Sequence, residues 1–399
     1  MEKLETPYYL IEEEKLNYDI NLLLSAMSNY WSKNTIVPSY SFKTNSLPWV
    51  LNHMKNSGFW AEVVSQDEYL LARKIGFADS KIVYNGPIKN KETFFKILTD
   101  GGYVNIDSTE ELEWLDQYEG DPIKVGIRVN VDLRNWLDPS KLGDYHGGRF
   151  GFCYENGSLA KTIERIRMNK QVSVVGLHMH QSIPSRSPEA FAALAQSAVE
   201  IAKKYKLLIE YIDMGGGYFG GRDDMPNFND YFSAICHELK RAFDPNQVKL
   251  IAEPGVSLVS RGFSFVTMVK DTKDVGNQRF LITDGSRLYL NPQVTRHSYP
   301  HHVKLMEKEK EIKDRGLMSS QIVTGSSCME YDRLFEIKNY SELKHGDYII
   351  YDNAGGYTIC LAPMFINYWP SVYVKKLDGT ILMVREKWTN EEMLQKCIY

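Results

Sequence analysis

Eight short apolar segments recur between residues 35 and 255, and stretches with helical spacing separate most of them. The segments are TIVPSYSF, FWAEVV, KIVYNG, YVNID, KVGIRVN, SVVGLHMH, LIEYIDMGGG and VKLIAEPG. In the intervening stretches, such as SQDEYLLARKIG, apolar residues recur at intervals of three and four, as in helices. Strands that alternate with helices form parallel sheets. Eight such units in about 220 residues predict a closed (β/α)₈ TIM-like barrel, because eight strands close around a filled interior.

The pattern changes after residue 265 to short β-rich runs separated by turns, for example GDYIIYDNAGGYTI. This part of the chain predicts a second, mostly antiparallel β domain. We expect the barrel to cover residues 25–265 and the β domain to cover 266–399, with residues 1–24 adding a strand to it. A chain of 399 residues, 43% of them apolar, is long enough for two domains.

Composition narrows the functional classes. A net charge of −4 without a dense Lys/Arg block argues against binding to nucleic acid or to an anionic membrane. The first residues lack the order of a secretory signal and no apolar run approaches the ~20 residues that span a bilayer, so we expect a cytoplasmic protein. Five scattered cysteines without a CxxC pair argue against a disulfide framework and a cysteine-rich zinc site.

Polar residues and glycines stand at the carboxyl ends of the predicted strands, the edge that carries the active site in barrel enzymes. Any one of these residues could be a buried core residue whose hydrogen bonds are satisfied by its neighbours. Such residues at five strand ends together favour a functional site. They are Lys43, Glu62, His178 with His180, Gly215 to Gly217, and Glu253.

The chemistry of these residues suggests pyridoxal 5′-phosphate. A lysine among apolar neighbours can attack an aldehyde, although a lysine at a strand tip can also simply extend to solvent. Three glycines after strand seven can bind a phosphate, and a tight turn would need glycine too. An imidazole offers a flat surface to a ring, and a buried carboxylate can hold a pyridine nitrogen. The HMH pair lacks an obvious third metal ligand in the sequence, so we expect no metal.

These residues resemble the fold-type III pyridoxal-phosphate decarboxylases, which include diaminopimelate, ornithine, arginine and carboxynorspermidine decarboxylases. The resemblance implies an alanine racemase-like fold for nearly the whole chain. The family's Tyr-x-x-Lys-x-Asn motif matches Tyr40 to Asn45, which makes Lys43 the Schiff-base lysine. AEVVSQDE resembles the motif of the second strand, where Glu62 would lie near the cofactor and Ser65 and Glu68 fill recurring positions.

Three further motifs would complete the cofactor site. GLHMH resembles the motif whose second histidine, here His180, stacks on the cofactor ring. DMGGGY matches the phosphate loop, which assigns Gly215, Gly216 and Gly217 to the phosphate. AEPG matches the motif whose glutamate, here Glu253, bonds the pyridine nitrogen, with Gly255 beside the cofactor.

The C-terminal motifs imply residues that reach the substrate. GSSCMEYDRL resembles a motif in which Cys328 would donate a proton to Cα and Asp332 would contact the substrate's distal end, with Glu330 as a further candidate. DNAGGYTI resembles a motif that would bring Tyr357 to the phosphate. In this family such residues enter the partner's active site, so the resemblance implies a homodimer with shared sites.

The chain also departs from the family pattern. Val256 replaces an arginine that commonly supports the phosphate, and Ile183 stands in a rearranged segment after His180. Met329 occupies the position of a glutamate in diaminopimelate enzymes and an aspartate in ornithine enzymes. Arg287 and Arg296 lie near, but out of register with, the arginine that holds the distal carboxylate of diaminopimelate.

These departures mean that the sequence does not identify the substrate. We expect a modified or conjugated amino acid from polyamine, siderophore or secondary-metabolite biosynthesis slightly ahead of a simple diamino acid, with diaminopimelate as the alternative. An amino-acid racemase is a rival, but there the pyridine nitrogen typically meets an arginine. A non-catalytic homologue that binds a partner protein is a second rival, which the presence of Lys43, Glu253 and Cys328 disfavours.

Overall fold

The computed structural model describes residues 4–296 and 298–398, and the chain divides into two compact units. One unit is Ile20–Ser257, and the other combines Met1–Asp19 with Leu258–Tyr399. The division thus falls at Ile20 and Ser257 rather than at the expected residues 25 and 265. The reason is that the strand Phe263–Val275 pairs from its first residues with the N-terminal segment.

The unit Ile20–Ser257 is a closed barrel of eight parallel strands, as the sequence predicts. Strand β1 (Tyr8–Glu12) and helix α1 (Glu13–Tyr30) precede the first barrel strand in the sequence. The barrel strands are β2 (Ile36–Ser41), β3 (Trp60–Val63), β4 (Ile82–Tyr84), β5 (Tyr103–Ile106), β6 (Ile123–Asn130), β8 (Val172–His178), β9 (Tyr211–Asp213) and β10 (Lys249–Ala252), and a short strand β7 (Phe152–Cys153) pairs with β6. Pairing of β10 with β2 and of β5 with β6 closes the circle.

Helices follow most of these strands, and five of the seven begin at polar caps. They are α2 (Pro48–Asn56), α3 (Gln66–Ile75), α4 (Lys91–Thr99), α5 (Thr109–Asp116), α6 (Ser158–Met168), α7 (Pro188–Tyr205) and α8 (Phe228–Leu239). The Ser65 hydroxyl accepts a bond from the Glu68 amide at the start of α3, and Ser108 with Glu111 forms a capping box on α5. Such caps satisfy amide groups that a helix leaves open at its start.

The barrel interior is packed with side chains. An apolar cluster joins Val37, Val83, Val175, Tyr211 and Ile251 from five strands. The Tyr211 ring takes the space that side chains on β6 and β8 would otherwise fill, because a Cβ atom at Gly176 would lie 2.1 Å from the ring and one at Gly126 would lie 2.1 Å from its hydroxyl. With the interior filled, the polar residues are confined to the carboxyl-end rim.

The second unit is a mostly antiparallel sheet. Its strands are β1, β11 (Phe263–Val275), β12 (Gln278–Thr283), β13 (His301–Glu307), β14 (Lys310–Ile312), β15 (Leu317–Thr324), β16 (Arg333–Ser341), β17 (Tyr348–Tyr351), β18 (Ser371–Lys375) and β19 (Ile381–Arg385). Short helices are α9 (Val256–Val259), which crosses the boundary at Ser257, α10 (Arg287–Leu290) and α11 (Asn390–Leu394). Strand β1 lies between β11, to which it is antiparallel, and β18, to which it is parallel.

Among the described residues, no helix has the length and apolar character that crossing a membrane requires.

Candidate active site

Lys43 stands at the rim of the barrel, in a short 3₁₀ turn that follows β2. Its amine lies 2.6 Å from Glu62 Oε2, at the end of the neighbouring strand β3. The Ser41 hydroxyl donates to the same oxygen at 2.6 Å. The Glu62 side chain is 1% exposed and that of Lys43 is 36% exposed, so the amine reaches a buried carboxylate while keeping access to the mouth of the barrel.

Glu253 follows β10 and is 4% exposed. Its Oε1 accepts a bond of 2.5 Å from the Asn85 amide nitrogen, which also donates to Glu62 Oε1 at 3.1 Å. On its other side, Glu253 Oε2 lies 3.4 Å from His178 Nε2. Strands β2, β3, β4, β8 and β10 thus converge on one group of buried charges through side chains at their carboxyl ends.

The charge within this group is divided unequally between Glu253 and Asp213, the last residue of β9. Burial raises the pKa of Glu253, but interactions with His178 and Lys43 outweigh it and hold the pKa well below its usual range. Burial and the neighbouring Glu253 raise the pKa of Asp213 well above its usual value. Within this pair the proton is therefore favoured on Asp213 and the negative charge on Glu253.

His180 lies between the end of β8 and the glycine loop. Burial, and then the nearby Arg128, lower its pKa to about 3, so its ring is neutral at physiological pH. Its Nδ1 accepts a bond of 3.3 Å from the Gly216 amide. A Cβ atom at Gly215 would lie 2.3 Å from the Cβ of His180, so glycine is required for this close approach.

The glycine loop and the AEPG segment pack against each other without side chains between them. Gly215 and Gly217 have φ of +66° and +104°, which favour glycine. A Cβ atom at Gly216 would lie 2.1 Å from the carbonyl oxygen of Glu253, and one at Gly255 would lie 2.1 Å from Thr44 Oγ1. The predicted cofactor residues of the barrel are therefore brought together by backbone contacts as well as by side chains.

A cation also stands near the glycine loop, although Val256 supplies none. The Arg186 guanidinium lies over the Phe219 ring at 5.4 Å from its centroid, two residues beyond Gly217. Tyr231 ties the two segments together, since its hydroxyl donates to the Arg186 carbonyl and accepts from the Phe219 amide.

His178, Asp213 and Glu253 also form a group that could hold a metal, with one ligand atom of each within 4.8 Å of the others. Glu253 Oε1 already accepts the Asn85 bond, and the two carboxylate oxygens of Asp213 accept bonds from the Gly215 amide and the Asn105 side chain. We therefore assign this group to the hydrogen-bonded network and not to a metal.

Glu68 adds a pH-dependent element beside the lysine. Burial, and then the charge of Glu62, raise the pKa of Glu68 from 4.5 to about 7. Between these values the folded protein binds more protons than the unfolded chain, so stability should fall as the pH rises through this window. Glu68→Gln should remove this dependence, which amounts to about 1 to 3 kcal/mol. Urea unfolding of both proteins at about pH 5 and about pH 8 measures it. Parallel pH profiles for the two would contradict the assignment.

The other predicted site residues belong to the β unit. Cys328 is exposed in the loop between β15 and β16. Together with Met329 it lines a cavity of about 540 Å³ whose wall includes Phe280 and Arg333. The thiol is thus accessible.

Asp332 is 2% exposed, and its carboxylate is fully engaged within the β unit. It accepts bonds from the hydroxyl and the amide of Ser327 at 2.6 and 3.2 Å, from the Ser286 hydroxyl at 3.0 Å and from the Arg287 amide at 2.8 Å. Four bonds leave the carboxylate little capacity for a ligand. These contacts indicate that Asp332 holds the Cys328 loop in place. They argue against the predicted contact between Asp332 and the substrate.

The remaining charged candidates make fewer contacts. The Arg287 guanidinium donates to the Tyr331 carbonyl at 2.7 Å, and that of Arg296 lies 3.4 Å from the carbonyls of Asn353 and Gly356. Glu330 is exposed and lies 3.4 Å from Arg333. Tyr357, predicted to reach the phosphate, is 36% exposed and has a φ of +55°.

Asn85 and Asn105 are among the residues of the network that were not predicted from the sequence. Asn85 follows the third barrel strand and Asn105 lies in the fourth. Both are polar residues at the carboxyl ends of strands, as Lys43 and Glu62 are. The same sequence pattern therefore predicts them as site residues.

The fold and this site define a barrel enzyme that binds pyridoxal phosphate. Residues 19–260 match the family described as the pyridoxal-binding domain of pyridoxal-dependent decarboxylases, and the chain belongs to that family. A lysine amine, an ionised carboxylate, a neutral imidazole and a glycine loop at one rim fit this cofactor. The protein is a pyridoxal-phosphate-dependent amino-acid decarboxylase.

Its relatives span several decarboxylases. The chain is 25% identical to diaminopimelate decarboxylase of Methanocaldococcus jannaschii, over 100% of this chain and 92% of the relative, and 23% identical to ornithine decarboxylase of Mus musculus, over 90% and 78%. The crystal structure of the M. jannaschii enzyme superposes with a TM-score of 0.84 at 22% identity, covering 100% of this chain and 93% of that one. The arginine decarboxylase of Paramecium bursaria Chlorella virus gives a TM-score of 0.77 at 19% identity, covering 93% and 96%.

Proposed function

We propose that this decarboxylase acts on a modified or conjugated amino acid, with Lys43, Glu253 and Cys328 as its catalytic residues. When bound, pyridoxal phosphate supplies an electron sink for the pair left on Cα as CO₂ departs. Lys43 would hold the cofactor through its amine, which is the nucleophile at this rim. Glu253 holds a proton at the ring nitrogen, which its negative charge favours.

The other residues orient the reactants and complete the proton transfer. His180, neutral and flat, would stack on the cofactor ring, and the glycine loop would meet the phosphate at its exposed residue, Gly217. Glu62, bonded to the Lys43 amine, orients that amine before it binds the cofactor. Cys328 gives a proton to Cα after CO₂ has left, a role that its accessible thiol supports.

The engagement of Asp332 and the presence of Met329 carry the proposal about the substrate. Asp332, Arg287 and Arg296 all bond to groups of their own unit, and Met329 follows Cys328 where related enzymes carry a carboxylate. A substrate whose distal end is a free amine or carboxylate would need such a group to be available. A substrate whose distal end is conjugated or otherwise modified does not need such a group.

Diaminopimelate is the second candidate. Several curated relatives of the chain are diaminopimelate decarboxylases, among them those of Staphylococcus aureus and Aquifex aeolicus. Identities of 22 to 26% leave room for a change of substrate within the family.

A substrate panel tests the proposal. CO₂ release should be measured with lysine, ornithine, arginine, diaminopimelate, carboxynorspermidine and citryl-conjugated diamino acids, with Lys43→Ala as the background. A conjugated or modified compound should give the highest kcat/KM. A highest value for diaminopimelate or for a simple diamino acid would overturn the proposal about the substrate but not the catalytic assignments.

We also propose that two copies form a homodimer in which Cys328 acts in the site of the partner. Support comes from the exposed Cys328 loop and from a run of exposed apolar side chains in the β unit, which are Leu361, Met364, Phe365 and Ile366. Mixing Lys43→Ala with Cys328→Ala should restore about a quarter of the wild-type activity, because half of the random dimers then carry one intact site. Each variant alone is the control, and a mixture as inactive as its parts would exclude shared sites.

A further inference from the structure

Asn85 occupies a central position in the buried polar network. Its amide nitrogen donates to Glu253 at 2.5 Å and to Glu62 at 3.1 Å, and its Oδ1 accepts from Asn105 Nδ2 at 2.9 Å. Asn105 Oδ1 in turn accepts from the Tyr211 hydroxyl at 2.8 Å. The three side chains Asn85, Asn105 and Tyr211 therefore form a chain of bonds that leads from the barrel interior to two carboxylates.

The direction of every bond in this chain is fixed by chemistry. A carboxylate only accepts, so the face of Asn85 that meets Glu62 and Glu253 must be its NH₂ group. Its carbonyl must then face Asn105, which has to offer its own NH₂. The Tyr211 hydroxyl supplies the final donor, and burial raises its pKa well above the usual value, so it keeps its proton.

All members of the chain are at most 4% exposed, and water does not compete with these bonds. An amide donor to a buried carboxylate stabilises the ionised form. Bonds to charged groups in a region of low dielectric are also among the stronger ones in proteins.

Resting on the proposed role of Glu253, we propose that Asn85 is a positioning residue that keeps Glu253 ionised and aimed, so that the cofactor's ring nitrogen stays protonated. Without the donor, Glu253 becomes a stronger base and draws the proton from the ring nitrogen toward its own oxygen. The bond to Glu62 fixes the same amide relative to the lysine side of the site. Asn85 thereby positions both the carboxylate proposed for the ring nitrogen and the carboxylate beside Lys43.

The experiment reads the protonation of the ring nitrogen directly. Holoenzyme reconstituted with ¹⁵N-labelled pyridoxal phosphate should show the ¹⁵N chemical shift of a protonated ring nitrogen. In Asn85→Leu this shift should move toward the unprotonated value, and kcat should fall by about 10- to 100-fold. Asn105→Leu breaks the chain one bond earlier and should move the shift in the same direction by less, which provides a second test if Asn85→Leu does not bind the cofactor.

Two controls separate the possible failures. Asn169→Leu removes two amide bonds to the carbonyls of Leu115 and Tyr118 before β8, so it should lower stability without moving the ¹⁵N shift. Glu253→Gln should give the unprotonated shift. If Glu253→Gln leaves the shift unchanged, the proposed role of Glu253 fails. If Glu253→Gln moves it and both asparagine variants leave it as in the wild type, only the role of Asn85 is overturned.

Discussion

Replacing Lys43 by alanine should lower the rate of decarboxylation by at least about a thousandfold and leave the cofactor without a covalent bond to the protein. The methyl side chain of alanine has no amine to attach the cofactor or to release product. The fold should survive, because Lys43 is 36% exposed and makes its bond to Glu62 at the rim and not in the packed interior.

Borohydride reduction followed by mass spectrometry measures the attachment. Wild-type protein should gain the mass of the reduced cofactor on the peptide that contains Lys43, and the variant should gain none. Lys124→Ala is a matched control, since Lys124 also forms an ion pair in the barrel, with Glu210 at 2.6 Å, but is 62% exposed. Turnover near the wild-type rate in Lys43→Ala would refute the assignment of the lysine.

Glu253→Gln should lower kcat by about 10² to 10³-fold, because a neutral amide cannot hold a proton at the ring nitrogen. The unequal charge of the two neighbouring acids provides the comparison. The proton is favoured on Asp213, so Asp213→Asn should cost less than about tenfold. Steady-state kinetics with the best substrate of the panel, supported by thermal unfolding of each variant, measures both effects. Equal losses in the two variants would contradict the unequal division of charge, and a larger loss in Asp213→Asn would show that the charge lies on Asp213.

The barrel could be predicted from the sequence because its signals are local. Alternating strands and helices leave periodic patterns, and parallel strands in a closed barrel must bring Lys43, Glu62, His180 and Glu253 to one rim. The same argument extended to every strand would have included Asn85 and Asn105. It would not have shown that Asn85 bonds to Glu253, which lies 168 residues away in the sequence.

Contacts and charges could not be predicted in the same way. The motif around Cys328 suggests a substrate contact for Asp332, but a sequence does not show that its carboxylate faces Ser286, Ser327 and the Arg287 amide. Nor does it show which of two buried acids keeps a proton, because that depends on burial and on neighbours from other strands.

Tyr211 belongs both to the packing of the barrel and to the active site. Its ring lies against Gly126 and Gly176, and its hydroxyl begins the chain of bonds that ends at Glu253. In a mutational scan, larger residues at these two glycines should therefore register as catalytic lesions although both positions lie within strands and carry no side chain. Evolution cannot then adjust the packing of these strands independently of the chemistry, and the two glycines are constrained by the reaction as much as by the fold.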